Sequence, residues 1–356
     1  MKVYARFVCV AALAFTYWLG FSQLARAEES IAPQELVFLT WPDFIDNAVV
    51  AEFEKQFNAK IRFIYFESDD GRDELLAHNN ASNYDVVLSD GISLTTYASL
   101  GWIDSISESE VPNLQHIDAH WRSAYPQGNT HGVPYAWGTI GIAYRRDLVS
   151  VPVTSWADLL KPAAVLQGKI LMIRNARDVI GVALKALGYS ENSADPGELA
   201  AARDLILAQK PYVKEYSYIA LTPESALLTG DIVAAMVFSG DALALQQLNP
   251  NISFVLPAEG TNICVDYLAI TKASRHKKLA AAFINFIHEP ENSARVAATI
   301  QYATPSLAAQ KYLPREFFLN EVIYPPAAKL ARSEYFSVLP PAALKFRNEI
   351  FQQALQ

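Results

Sequence analysis

Short apolar runs alternate with longer amphipathic stretches between residues 35 and 150. The run ELVFLTW predicts a buried strand, and NAVVAEFEKQF predicts a helix because Val49, Phe53 and Phe57 fall on one stripe. The stretches AKIRFIYF and NYDVVLSD predict two further strands, and GRDELLAH predicts a second helix. This order of elements indicates a sheet of mostly parallel strands with helices on both faces.

The alternation starts again after a long extended run, GVPYAWGTIGIAYRRDLV. A helix is predicted to begin at Thr154 or Ser155, KILMI predicts a short buried strand, and Asn175 is the predicted N-cap of the next helix. A second extended run, CVDYLAIT, precedes the helical stretch HKKLAAAFINFIH. Two units of sheet and helix joined by two extended crossings predict two lobes with a ligand cleft between them.

The first residues have the pattern of an export signal. Lys2 and Arg6 precede an apolar run at 7–21, and the small-residue stretch Ala25-Arg26-Ala27 follows it. This pattern predicts a cleaved signal of residues 1–27. A membrane anchor is the alternative, but the run is short and no stop-transfer pattern follows. We therefore expect the mature protein to be exported and soluble.

Net charge and cysteine content narrow the possible partners. The chain has 29 basic and 37 acidic residues, a formal net charge of −8. Cleavage of the signal would remove three basic residues and no acidic one, which gives −11. An acidic surface repels nucleic acid and favours cationic solutes, so we expect no nucleic-acid partner. Cys264 would be the one cysteine left, so an internal disulfide is excluded and stability must come from a large core.

Catalytic and metal-binding motifs are mostly missing from the sequence. It contains no G-x-S-x-G elbow, no H-E-x-x-H, no P-loop and no Rossmann glycine set. Only His116 and His120 have helical i, i+4 spacing, and without a third ligand they predict no metal site. Cys264 could be a nucleophile only beside a histidine, and a small buried apolar role is the simpler interpretation. The sequence motifs therefore predict neither a catalytic centre nor a metal site.

Aromatic and acidic residues recur together near the predicted strand ends. The groups are Trp41 with Asp43, Phe44 with Asp46, Phe238 with Asp241, and Asp266 just beyond Cys264. A cation with methylene spacers needs carboxylates for its ammonium groups and ring faces along its body. Ordinary structural roles also fit: core packing for the aromatics, N-capping for Asp43 and Asp46, and a capping pair for Asn175 and Asp178.

A succession of stretches resembles one family and covers nearly all of the mature chain in order. The stretches are LVFLTWPDFI, FIYFESDD, YDVVLSD, GVPYAWGTIGIAY, VTSWADLLKP, NARDVIGVALKALGYS, VDYLAI and TIQYATPSLAA. They resemble the bacterial periplasmic spermidine/putrescine-binding proteins, the solute receptors of polyamine ABC importers. The resemblance implies a periplasmic α/β protein of two lobes, with two mixed sheets flanked by helices and two hinge crossings. The implied lobes are residues 28–140 plus 266–310 and residues 141–265 plus 311–356.

The resemblance also implies a set of ligand-binding residues. Asp178 and Asp266 match acids that hold ammonium groups, and Trp41 matches a tryptophan that packs along the polyamine. The full set is Trp41, Asp43, Phe44, Ser89, Asp178, Phe238, Asp241, Cys264, Asp266 and Tyr302. No catalysis and no cofactor are implied, and we expect a monomer.

Several positions depart from the family pattern. Cys264 stands where a large aromatic is expected, Phe336 where spermidine-type members have Gln, and Asn175 in place of an acid. Phe44 and Phe238 likewise replace a Tyr and a Trp. The acids persist, so amine recognition is expected. The preferred chain length stays open, and the small residue at 264 leaves room for a bulkier or longer ligand.

Two functions fit the resemblance. The first is capture of putrescine, spermidine or an analogue and its delivery to an inner-membrane ABC permease. The second is a co-receptor that reports polyamines to a membrane-bound cyclic-di-GMP enzyme. A periplasmic hydrolase would need two acids with separated pKa values, and nothing in the sequence indicates which acid would be raised. Iron binding on a related fold usually requires adjacent tyrosines, and the sequence has no such pair.

Overall fold

The computed structural model describes residues 32–78 and 80–356, so the predicted signal at 1–27 lies outside the described residues. The strands are β1 (Gln34–Thr40), β2 (Ala59–Tyr65), β3 (Val86–Asp90), β4 (Val133–Arg145), β5 (Ile170–Met172), β6 (Val213–Tyr216), β7 (Ala234–Phe238), β8 (Ile252–Val255) and β9 (Ile263–Ile270). The helices are α1 (Asn47–Phe57), α2 (Asp69–His78), α3 (Gly91–Leu100), α4 (Ala119–Arg122), α5 (Trp156–Leu160), α6 (Ala176–Ala186), α7 (Pro196–Gln209), α8 (Ala226–Thr229), α9 (Ser239–Leu248), α10 (Lys277–Ile287), α11 (Pro290–Ile300), α12 (Arg315–Leu319), α13 (Ala327–Leu330) and α14 (Pro341–Leu355). Three short 3-10 helices lie at Pro112–His116, Lys210–Tyr212 and Ala308–Tyr312.

The strands form one mixed sheet in the order β2-β1-β3-β9-β4-β7-β5-β6, with β8 also paired to β4. Pairing is parallel between β1 and β3 and along β7-β5-β6, whereas β9 and β4 run antiparallel to their neighbours. The predicted α/β fold with mixed strands and flanking helices is confirmed. The two predicted sheets form one continuous hydrogen-bonded sheet, because the long extended runs β4 and β9 are themselves strands that connect them.

Strand β4 divides this sheet into two halves. Its residues from Val133 to Thr139 pair with β9, and its residues from Ile140 to Arg145 pair with β7 or β8. We call β2, β1, β3, β9 and the start of β4 the first half, and the end of β4 with β7, β8, β5 and β6 the second half. One continuous strand therefore belongs to both halves.

Both faces of the sheet are buried, as the continuous apolar runs predict. In β1, Leu36 and Phe38 pack into one core cluster and Val37 and Leu39 into another. This alternation follows from the two-residue period of a strand, which sends successive side chains to opposite faces. The second half has the same arrangement, with its own two clusters on its two faces.

The predicted helix starts are confirmed by their capping hydrogen bonds. The side chain of Asp46 accepts from two backbone N–H groups at the start of α1, and Asn175 accepts from the N–H of Arg177 at the start of α6. Ser155 forms a capping box with Asp158 at the start of α5. Caps of this kind fix where the chain enters each helix. Among the residues that the structure describes, no helix is long and apolar enough to cross a membrane.

Trp156 is the largest fully buried side chain of the second half, and its indole N–H donates to the carbonyl of Gly260 at 2.9 Å. Truncation would leave a large cavity and an unpaired carbonyl. We expect Trp156→Ala to lower the free energy of unfolding by about 3–5 kcal/mol, measured by urea denaturation. Leu344→Ala, at an exposed position on α14, is the control and should change it by less than about 0.5 kcal/mol. A Trp156→Ala loss as small as the control's would contradict the packing described.

Candidate functional site

The candidate residues lie where the two halves of the sheet meet. Trp41 follows β1, and Asp266 lies within β9 directly opposite Asp90, the last residue of β3. From the second half, α6 and α9 carry Asp178 and Asp241 in their first turns. Strands and helix starts from both halves therefore meet here.

Aromatic rings form one wall of this region. The Trp41 ring lies 4.4 Å from that of Phe66 in the first half and 5.5 Å from that of Tyr218 in the second. Phe44 meets the ring of Tyr302 edge-on at 5.3 Å. Trp41 and Phe44 are only half-buried, so part of each ring remains open to a ligand.

Tyr302 packs against Gly240 and donates a hydrogen bond to Asp241, both in α9 of the second half. Its hydroxyl donates to Asp241 Oδ1 at 3.3 Å. Its ring occupies the space where side chains would project from Gly240 and Gly138, since a Cβ at either position would lie 2.0 Å or 2.8 Å from ring carbons. The glycines in FSGD and WGTIG therefore allow Tyr302 to approach Asp241.

The carboxylates of Asp178 and Asp266 have no partner among the described residues. Asp178 is 5% exposed and Asp266 is partly buried, and neither makes a hydrogen bond or ion pair with any residue that the structure describes. Burial raises the pKa of Asp178 to about 7, although nearby Arg177 opposes it, and raises that of Asp266 to about 8 with help from Asp90 and Asp69. Burial also raises the pKa of Asp241 to about 7 against its bond from Tyr302. A desolvated carboxylate of this kind favours a cationic ligand.

Two other acids at the same place are neutralised by arginines, which the sequence analysis did not identify. Fully buried Arg72 pairs with Asp69 at 2.9 Å and with Asp90 at 3.2 Å. Arg177 of α6 pairs with Asp90 at 3.2 Å and approaches Asp69 at 3.6 Å. Although burial raises the pKa of Asp90, Arg177 and Arg72 outweigh it and hold that pKa far below its usual range. The Arg72 and Asp69 spacing of three residues was the one local signal for this network.

The remaining predicted residues take different positions. Ser89 is buried, and its hydroxyl has no hydrogen-bond partner in the described part of the chain. Phe238 packs against core clusters of both halves. Cys264 is partly exposed, and burial with the nearby Asp178 and Asp266 raises the pKa of its thiol. Asp43 is exposed in a left-handed turn (φ 53°).

The capping alternatives are resolved for two residues. Asp46 caps α1, as one interpretation of the sequence held, and Thr299 also donates to it at 3.1 Å. Asn175 caps α6 and donates from Nδ2 to Asp69 at 3.0 Å, so it bridges the two halves. Asp178 takes no part in that cap. Its carboxylate remains available.

The raised pKa values predict how stability depends on pH. Three carboxyls with an ordinary pKa of 3.8 keep their protons in the folded state up to about pH 7–8, while the unfolded chain has already lost them. The free energy of unfolding of the ligand-free protein should therefore fall as pH rises from about 5 to about 8. Urea denaturation across this range measures it, and Asp266→Asn should flatten the slope. A free energy of unfolding that rises through the same window would contradict the assignment.

Residues 48–317 match the model of the bacterial extracellular solute-binding protein family, and the chain belongs to this family. Over 338 residues it is 31% identical to the spermidine/putrescine-binding periplasmic protein of Escherichia coli K12, covering 94% of each chain. It is 27% identical over 345 residues to the norspermidine sensor of Vibrio cholerae, covering 94% of this chain and 95% of the relative.

A solved structure agrees with these relatives. The substrate-binding protein of a spermidine/putrescine ABC transporter from Streptococcus pneumoniae superposes with a TM-score of 0.78 at 26% identity, covering 90% of this chain and 98% of the other. The resemblance, the fold and the periplasmic location predicted from the sequence are thereby confirmed.

Proposed function

We propose that this chain captures a linear polyamine where the two halves of the sheet meet and delivers it to an inner-membrane ABC permease. The observation that carries the proposal is a set of buried or half-buried acids that form no ion pair with any described residue: Asp178, Asp241 and Asp266. When ionised, each needs a positive partner. The Escherichia coli relative is a spermidine/putrescine-binding protein, which supports the ligand class, and the Streptococcus pneumoniae relative, from an ABC transporter, supports the partner.

The aromatic wall suits the apolar part of such a ligand. Rings of Trp41, Phe44, Phe238 and Tyr302 can replace water along the methylene groups while their faces attract the charge. Each such contact is worth about 0.5–2 kcal/mol. The unpaired hydroxyl of Ser89 can accept an ammonium N–H. Contact between Asp43 and the ligand stays a prediction. Asp43 lies in an exposed turn and would have to reach the ligand from there.

We also propose that the two halves act as lobes that close on the ligand. The change of partner along β4 after Thr139 supports the predicted crossing near residue 140. Strand β9 begins pairing with the first half at Ile263, which favours a second crossing just before it. Leu313 and Phe317 pack into a core cluster of the first half, so we assign that part of the predicted 311–356 segment to the first lobe.

No catalytic step is proposed. A hydrolase would need an acid with a raised pKa beside an ionised one. Burial raises the pKa of all three unpaired acids, and the strongly ionised Asp90 is occupied by two arginines. The proposed acting form is a monomer, because a single chain provides every candidate residue.

Signalling to a membrane-bound cyclic-di-GMP enzyme is the second candidate. The similarity to the Vibrio cholerae norspermidine sensor favours it. Uptake of labelled spermidine by cells with and without the gene separates the two functions. Lost uptake supports transport, whereas unchanged uptake with an altered cyclic-di-GMP level supports sensing.

Titration calorimetry with putrescine, spermidine and norspermidine tests ligand binding directly. We expect Asp266→Asn to weaken binding at least a hundredfold, because removing one partner of a buried ion pair costs about 3–5 kcal/mol. Glu215→Gln, an exposed acid on β6, is the matched control and should bind as the natural protein does.

Two results would contradict the proposal. If the natural protein gives no heat with any of the amines at millimolar concentration, polyamine binding is wrong. If Asp266→Asn binds as tightly as the control, Asp266 does not belong to the site.

A further inference from the structure

One face of β9 and of the residue before it runs along the candidate site. Asn262, Cys264 and Asp266 alternate with Ile263 and Val265, which are buried in a core cluster on the opposite face. Residues two apart on a strand are about 6.7 Å apart, so Asp266 and Asn262 are separated by about 13 Å. Cys264 is the middle residue of this row.

Glu191, in the loop between α6 and α7, lies at the end of this row. Its Oε1 accepts from Asn262 Nδ2 at 3.1 Å. The residue is 1% exposed, and its Oε2 has no hydrogen-bond partner among the described residues. It is thus a further buried carboxylate with an oxygen that lacks a partner among the described residues, and the family resemblance did not point to it.

Lys185 and Arg347, two cations near Glu191, donate to groups other than its carboxylate. Lys185 donates to Glu334 and to the carbonyl of Arg332. Arg347 donates to the backbone carbonyl of Glu191 and to that of Ser193. Neither forms an ion pair with the Glu191 carboxylate within the part of the chain described. Nε and Nη1 of Arg347 also lack a hydrogen-bond partner among the described residues, so no N–H of Lys185 or Arg347 donates to Oε2.

Glu191 packs on the same helix that carries Asp178. A Cβ at Gly181, one turn after Asp178 in α6, would lie 3.5 Å from Cβ of Glu191 and 3.3 Å from the ring of Phe336. Glu191 also acts electrostatically on the thiol of Cys264 together with Asp178 and Asp266, and burial foremost raises the pKa of Glu191 to about 8. Asp178, Asp266 and Glu191 are therefore all near enough to Cys264 to raise the pKa of its thiol.

We propose that Glu191 binds a third ammonium group and that the site is built for a linear triamine. The inference rests on the proposed polyamine function. With single bonds of about 1.5 Å, an extended four-carbon diamine separates its nitrogens by roughly 6 Å and a triamine its outer nitrogens by roughly 11 Å. The longer span suits the row from Asp266 toward Asn262 and Glu191. The small side chain of Cys264 leaves the path between them open.

Calorimetry with putrescine as the diamine and with spermidine and norspermidine as triamines tests the assignment. The natural protein should bind a triamine at least tenfold more tightly than putrescine. Glu191→Gln keeps the side-chain shape and the Asn262 contact but removes the charge, so it should weaken triamine binding at least tenfold and putrescine binding far less. Cys264→Phe should produce the same selective loss by filling the path. Glu215→Gln is again the control.

The outcomes separate this inference from the proposed function. Equal losses for diamine and triamine in Glu191→Gln, or no loss, would refute the role of Glu191 while leaving polyamine binding intact. Absence of heat with every amine for the natural protein would refute both. Thermal melting checks that each variant is folded. If Glu191→Gln does not fold, Cys264→Phe tests the inference. A triamine affinity of Cys264→Phe equal to that of the natural protein would contradict a ligand path past residue 264.

Discussion

The free energy of a buried carboxylate without a counter-charge is the constraint on which this site depends. Arg72 and Arg177 satisfy Asp69 and Asp90, whereas Asp178 and Asp266 are left to hold their protons. Ionising a carboxyl group that is shielded from water costs free energy, and binding a proton removes the charge. A ligand with ammonium groups has to replace those protons. Binding by this site is therefore also an exchange of cations.

The two arginines divide the acids of the site into those that form ion pairs and those that do not. Arg72 is fixed within the first half by Tyr97 and Ser93, whose hydroxyl oxygens accept its N–H groups at 2.7 Å and 2.6 Å. Arg177 comes from the second half and reaches the same acids. Asp69 and Asp90, which pair with these arginines, join the halves, whereas Asp178 and Asp266 form no ion pair with a described residue. Under the proposed function, the same residue type thus serves both structure and recognition.

Local sequence rules found what depends on local geometry. The caps at Ser155 and Asn175 were predictable because each uses backbone N–H groups within three residues. The strands were predictable from their apolar runs, but the antiparallel placement of β9 between β3 and β4 was not, since register between distant strands leaves no local pattern.

The network of arginines and acids could not be predicted from the sequence for the same reason. Arg177 is 87 positions from Asp90, and Glu191 is 71 positions from Asn262, so their pairing exists only in the folded chain. Asp43 illustrates the converse. It is two residues from Trp41, yet its turn leaves it exposed, because neighbours in sequence do not share a direction.

The bridges from Arg177 and Asn175 to the first half have a kinetic consequence. They form between protein groups alone. If the halves are the lobes that close on a solute, its departure requires these contacts to separate first. Because dissolved salt screens partly exposed charges, the ionic strength of the medium helps to set how long the solute is retained.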